Sequence, residues 1–197
     1  MTQVDLPTRR GLSASSPILV FLLGAIAALP PLSIDMGLPA LAGIQTSLLV
    51  SARDAALTLS LFLLGFSCGP LMMGPLSDRF GRRPVLLSGL VLFTLAGLAC
   101  CTASGITILL AGRLLQGIGA GAAATIPMTV VRDLYEGSRA RTMMSHVALV
   151  TGLAPIVAPT LGAVLLGLGP WRLIYGVLAG VGVVLFCLLY TSPSPRD

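Results

Sequence analysis

Of the 197 residues, 55% are hydrophobic and only 10% charged, and the mean hydropathy is +0.97, a composition that excludes a water-soluble globular domain with an ordinary surface. Divided into spans of about 20 residues with short connections, a chain of this length holds about six membrane helices. The formal charge of +5 is carried by arginine without any lysine, and because the arginines flank apolar runs and do not line one polar face, they read as topology signals and exclude a nucleic-acid partner.

In chain order, residues 1–16 are polar and set Arg9 and Arg10 before an apolar run that starts at Ile18, which predicts a cytoplasmic tail. The rival reading, a twin-arginine export signal with Ala25-Ile26-Ala27 as its cleavage site, meets an apolar run that continues past that site and five later spans. The first span is predicted at about 17–38, interrupted by Pro30-Pro31 and carrying Asp35 near its far end. Proline frees backbone carbonyls that a neighbouring helix or cavity water must satisfy. Residues 39–50 carry no charge and read as an outer loop. Ser51-Ala52-Arg53-Asp54 resembles a capping box and opens a second span at about 54–73.

The stretch 74–84 is the densest cluster of charge, with an apolar run on each side. Gly74, Pro75 and Gly81 punctuate helices and Pro84 suits the first position of a new one, so the stretch predicts a tight hairpin. A third span at about 84–101, a short turn Ala103-Ser104-Gly105 and a fourth span at about 106–131 follow. The fourth contains Arg113, Gln116 and Pro127. A second charged loop holds Arg132, Asp133, Glu136, Arg139 and Arg141. The fifth span is predicted at about 144–168, a turn places Trp171 as an interfacial anchor, and a sixth span covers 173–186 onward. Arg9, Arg10, Arg79, Arg82, Arg83, Arg132, Arg139 and Arg141 then fall on one side against Arg53 and Arg172 on the other, which predicts a cytoplasmic N-terminus.

Gly74, Leu76, Asp78, Arg79, Gly81, Arg82 and Arg83 match the loop motif of the major facilitator superfamily. Leu109, Arg113, Gln116 and Gly117 match its fourth-span motif. The segment 151–163, through Pro155, Pro159 and Gly162, resembles the superfamily's antiporter motif, with Ala158 and Ala163 where glycine is usual. The stretches 29–36, 131–134 and 171–172 resemble the branch of drug:proton antiporters that confers resistance to bicyclomycin and chloramphenicol. That resemblance implies an all-α membrane fold of twelve helices, of which residues 17–186 form the N-terminal six-helix half. It also implies a bacterial inner-membrane location, a small amphipathic drug or metabolite as cargo, a C-terminal half as partner, and a proton gradient in place of any cofactor. In proton-coupled members the fourth-span arginine is associated with proton transfer. The segment 187–197 resembles the translated read-through of a sequencing-library adapter and is set aside.

Asp35 and Arg113 are the two ionisable groups placed within the spans. On insertion scales each costs about 2.5–3.5 kcal/mol at a helix centre, so each needs a partner or water. Asp35, near a helix end, also reads as a group reaching interfacial water, and Arg113 as a polar anchor. The small residues and prolines of 151–163 suit ordinary helix packing as well as an antiporter role. Gly117, Gly119 and Ala122 fit the dinucleotide fingerprint in form, but no strand precedes them. With Gly65/Gly69 and Gly176/Gly180, the pair Gly117/Gly121 fits close helix packing better. His146 reads as a polar helix-end residue or a proton relay, and the four cysteines as small buried apolar side chains. Two other functions stay open: a superfamily carrier for a sugar or other metabolite, and a membrane-embedded enzyme, for which the chain offers no P-loop and no metal-spaced His/Cys set.

Overall fold

The computed structural model describes residues 17–191, and the expected tail 1–16 with Arg9 and Arg10 lies outside them. The described chain forms eight helices: α1 (Pro17–Ala27), α2 (Leu29–Asp35), α3 (Ala40–Leu48), α4 (Ala52–Phe80), α5 (Arg82–Cys101), α6 (Ile106–Leu134), α7 (Gly137–Leu168) and α8 (Arg172–Thr191). Five of them, α4 to α8, are long and apolar enough to cross a membrane; the stretch Leu19–Asp35 with α3, bent by 55°, makes a sixth when taken as one span.

Three features differ from the sequence reading. The first is the hairpin expected over 74–84. α4 runs through Gly74 and Pro75 to Phe80, so the whole turn is one residue, Gly81, at φ +95°. Only glycine enters that region without strain. Pro84 is the third residue of α5 and not its first; it is still within the turn whose N–H groups lack helical partners, so its missing donor costs nothing there. The second is the outer loop over 39–50, most of which is α3. Its apolar side buries Ala40 and Ile44, and helix is how an uncharged segment satisfies its own backbone near hydrocarbon. The third is Trp171, expected at the membrane interface and found only 2% exposed.

α6 is the central helix and packs on α1, α2, α4, α5 and α7, while α8 packs mainly on α5. Small residues on two faces of α6 permit this. Gly117 and Gly121 face α4: a Cβ on Gly117 would strike the Phe62 carbonyl oxygen, and one on Gly121 would lie 2.7 Å from the Gly69 Cα. Gly119 and Ala122 face α5, where a Cβ on Gly119 would lie 2.6 Å from the Gly89 oxygen. Gly65, Gly69, Gly117 and Gly121 therefore form one seam, as expected. Gly180 does not share this role, because a Cβ there would meet open space.

The start of α4 is capped by Ser51, whose hydroxyl accepts from the Asp54 N–H at 3.1 Å. The return half of a capping box is absent; the Ser51 hydroxyl donates instead to the Asp54 carboxylate at 2.7 Å, because aspartate is one methylene too short to reach the Ser51 N–H. α7 stays continuous through Pro155 and Pro159, both exposed. Its buried stripe is Ala154, Ala158 and Gly162, spaced four apart so that they stack on one face.

Candidate functional site: a buried guanidinium

Four residues with buried polar side chains, Ser33, Thr58, Arg113 and Gln116, come from three helices and meet at one place, Thr58 through its backbone carbonyl. Arg113, seven residues into α6 and therefore about 10 Å from its start, is 1% exposed. Its Nη1 donates to Ser33 Oγ and to Gln116 Oε1, each at 2.8 Å. Its Nε donates to the Thr58 carbonyl at 3.3 Å and its Nη2 to the Ser33 carbonyl at 3.4 Å. The Ser33 carbonyl is available because α2 is ending: the Gly37 N–H donates to Ile34 instead. A helix end presents unpaired carbonyls and the negative end of the helix dipole, which favours a cation there.

The rest of the shell is aromatic. The Arg113 guanidinium carbon lies 4.1 Å from the Phe62 ring centroid and 5.5 Å from that of Tyr175. Cation–π attraction is strongest where the cation is desolvated, at about 2 kcal/mol or more. Thr58 and Phe62 are one turn apart on α4, which is why one helix supplies both a carbonyl and a ring. No carboxylate pairs with Arg113 among the described residues. The charge is held by neutral dipoles and π faces alone.

Asp35 is not part of this shell. It is the last residue of α2, two positions beyond Ser33 and so about 200° further round the helix at 3.6 residues per turn. Among the described residues it makes no ion pair. Gln116 is fully buried, and the bond to Arg113 fixes which way its amide points, since a flipped amide would set donor against donor. Its Nε2 has no hydrogen-bond partner among the described residues; a Cβ on Gly97 would lie 3.1 Å from it. A cleft too narrow for water adjoins the site, lined by Ile34, Gly37, Leu38, Thr58, Arg113 and Tyr175. A larger space of about 280 Å³, between α1, α2, α7 and α8, is lined by apolar residues alone and does not touch Arg113.

A second polar cluster lies at the other end of α6. Asp133 is twenty residues beyond Arg113, about 30 Å along the helix. Arg82 binds Asp78 at 2.6 Å, Asp133 at 3.1 Å and the Ser77 hydroxyl at 2.6 Å. One guanidinium thereby ties the end of α4, the start of α5 and the end of α6. Arg83 donates to the Leu189 and Tyr190 carbonyls at 3.4 and 2.8 Å, near the end of α8. Arg79 is exposed and, among the described residues, stacks on its neighbour Phe80 at 5.3 Å. Gly74 is an ordinary helical residue with open space beside it.

Pro155, Pro159 and Gly162 belong to neither cluster. Gly162 packs instead on the bend between α2 and α3, where a Cβ would lie 2.9 Å from the Met36 oxygen and 3.0 Å from Pro39. His146 is exposed on the first half of α7.

The sequence reading found Arg113 and Gln116 but missed Ser33, Thr58, Phe62 and Tyr175. Ser33 and Thr58 carried a weak signal as hydroxyls inside apolar runs. Phe62 and Tyr175 carried none, since an aromatic residue in a membrane span is unremarkable on its own. The Arg82–Asp133 pair joins residues 51 apart and becomes visible only once α4 and α6 are packed.

The family model described as Major Facilitator Superfamily matches residues 23–197. The chain is 40% identical over 173 residues to the uncharacterized MFS-type transporter YdgK of Bacillus subtilis strain 168, covering 87% of this chain and 43% of that protein. It is 33% identical over 175 residues to the multidrug resistance protein MdtL of Escherichia coli strain SMS-3-5, covering 86% and 45%. The chain thus spans a little under half the length of these curated relatives. It superposes on the crystal structure of a D-xylose-proton symporter with a TM-score of 0.75, over 92% of this chain and 50% of that one; at 19% identity this is a likeness of fold. A helical bundle of this shape, matched by the family model over nearly its whole described length, is a multi-pass membrane protein, and the chain belongs to the major facilitator superfamily.

Proposed function

We propose that this chain is the N-terminal six-helix half of a proton-coupled multidrug efflux transporter of the bicyclomycin- and chloramphenicol-resistance type. It sits in a bacterial inner membrane with the Arg82 end cytoplasmic. The observation that carries the reading is Arg113: a fully buried cation within the apolar length of the bundle, satisfied by neutral groups and unmatched by any carboxylate among the described residues. An ionisable side chain placed so deep is expensive and marks a functional pathway. A fixed positive charge in low dielectric raises the cost of adding a second cation beside it and lowers the cost of an anion. Asp35, outside the Arg113 shell, is the proton carrier in this proposal: its ionised carboxylate attracts a cationic drug and its protonated form does not, so proton and drug oppose one another, which is the requirement for exchange.

The name of the MdtL relative supports the drug reading. That the chain spans a little under half of its curated relatives supports a second half that completes the substrate path, as expected where the path lies between repeats. In this reading Asp78, Arg79, Arg82 and Arg83, with Gly74 and Gly81, form the cytoplasmic gate. Pro155, Pro159 and Gly162 shape the antiporter helix and Gln116 lines the coupling site.

The test uses the full-length gene in bacteria lacking their own drug pumps. Resistance to amphipathic drugs, together with drug-induced proton movement in inverted vesicles, is the expected result. Proton-driven uptake of a sugar with no drug phenotype would replace this reading with that of a metabolite carrier.

A further inference from the structure

Two segments outside the site's polar shell, α3 and the start of α8, close one end of the Arg113 cleft. The Trp171 indole N–H donates to Ser47 Oγ on α3 at 2.6 Å, and the indole packs on Gly43, where a Cβ would lie 3.4 Å from its Cδ1. Arg172 stacks on the same indole at 4.4 Å and donates to the Ala103 carbonyl at 2.8 Å. Trp171 also meets Tyr175 edge to face at 5.8 Å, and Tyr175 borders both Arg113 and the cleft. An unbroken series of contacts thus runs from the buried cation through Tyr175 and Trp171 to α3.

α3 has a pivot at each end. Before it lies the 55° bend over 36–39. After it lies Leu49, a non-glycine residue at φ +53° and 92% exposed, a left-handed conformation that is strained for leucine. Its own buried residues are only Ala40 and Ile44. A short helix with little buried surface, hinged at both ends and fastened among the described residues by one side-chain hydrogen bond to the start of α8, is built to move as a unit.

We propose that α3 is a lid over the Arg113 cleft, latched to α8 by the Trp171–Ser47 hydrogen bond, and that its opening admits water to the guanidinium. The lid stands whether or not Arg113 couples protons. Trp171 is the chain's single tryptophan, so its fluorescence reports the latch directly.

The experiment uses the purified chain in detergent, with Cys68, Cys100, Cys101 and Cys187 replaced by alanine and Thr58→Cys placed under the lid. Loss of one hydrogen bond shifts such an equilibrium by about fivefold. Ser47→Ala should therefore raise the maleimide labelling rate at position 58 by about that factor and increase iodide quenching of Trp171, while Ser47→Thr, which keeps the hydroxyl, should do neither. A parallel chain carrying Ala123→Cys, a fully buried site in α6, should show no change with Ser47→Ala. Labelling at 58 that is equal in the Ser47→Ala and unaltered backgrounds, or a parallel rise at 123 that betrays general loosening, would overturn the lid.

Discussion

Replacing Gly117 by alanine should loosen the α4–α6 seam and disturb the buried arginine in the same step. The added methyl would run into the Phe62 carbonyl, with the Phe66 backbone nitrogen at 2.9 Å. Both are backbone atoms of a helix interior and neither can rotate away. The helices must separate by the better part of an ångström, and overpacking of this kind costs about 1–3 kcal/mol. Alanine's better helix propensity returns about 1 kcal/mol at most. Gly180→Ala is the matched control, since it gains the same propensity and meets open space; it should be neutral or mildly stabilising. Moving α4 outward also draws Phe62 and the Thr58 carbonyl away from Arg113. Unfolding of the chain in mixed micelles, followed by circular dichroism against the denaturing detergent fraction, measures the difference. Equal midpoints for Gly117→Ala and Gly180→Ala would show that the seam is not tightly packed and would refute the reasoning.

The Arg82–Asp133 pair should show a coupling of about 0.5–1 kcal/mol in a double-mutant cycle with alanine, because both side chains are partly exposed and solvent screens them; a coupling indistinguishable from zero in low-salt micelles would reduce the pair to a passive contact. The ends of the bundle should be distinguishable in cells. A cysteine placed at the exposed Ser138, at the Arg82 end, should resist an impermeant reagent added outside intact cells and react once they are opened, and ready labelling from outside would reverse the orientation.

The helical content and the membrane setting were legible because apolar runs of span length have few other meanings. The glycine seam was legible for a related reason: a pair of small residues four apart has one strong physical use in such a helix. The turn at Gly81 was drawn too wide, since Gly74 and Pro75 are helix breakers by propensity. Packing and the apolar surroundings override them, because a helix in hydrocarbon has no better way to satisfy its backbone. α3 was invisible as a helix because it is short and uncharged, with no flanking cap of the usual kind. Arg113 announced itself through charge, and Gln116 stood one turn further along the same helix. The other acceptors of Arg113 did not announce themselves: two of them are backbone carbonyls, one freed by the bend after α2 and one inside α4, and neither has a letter in the sequence.

The central claim is that Arg113 couples proton movement to transport, and drug-induced proton release in vesicles carrying the completed full-length transporter tests it most directly. Arg113→Ala should insert and fold yet release no protons on addition of drug, and should confer no resistance in cells. Arg113→Lys should recover little, since an ammonium cannot serve Ser33, Thr58 and Gln116 at once from one planar fork. Proton release and resistance at the unaltered level in Arg113→Ala would contradict the account and leave Arg113 as a structural anchor of the bundle.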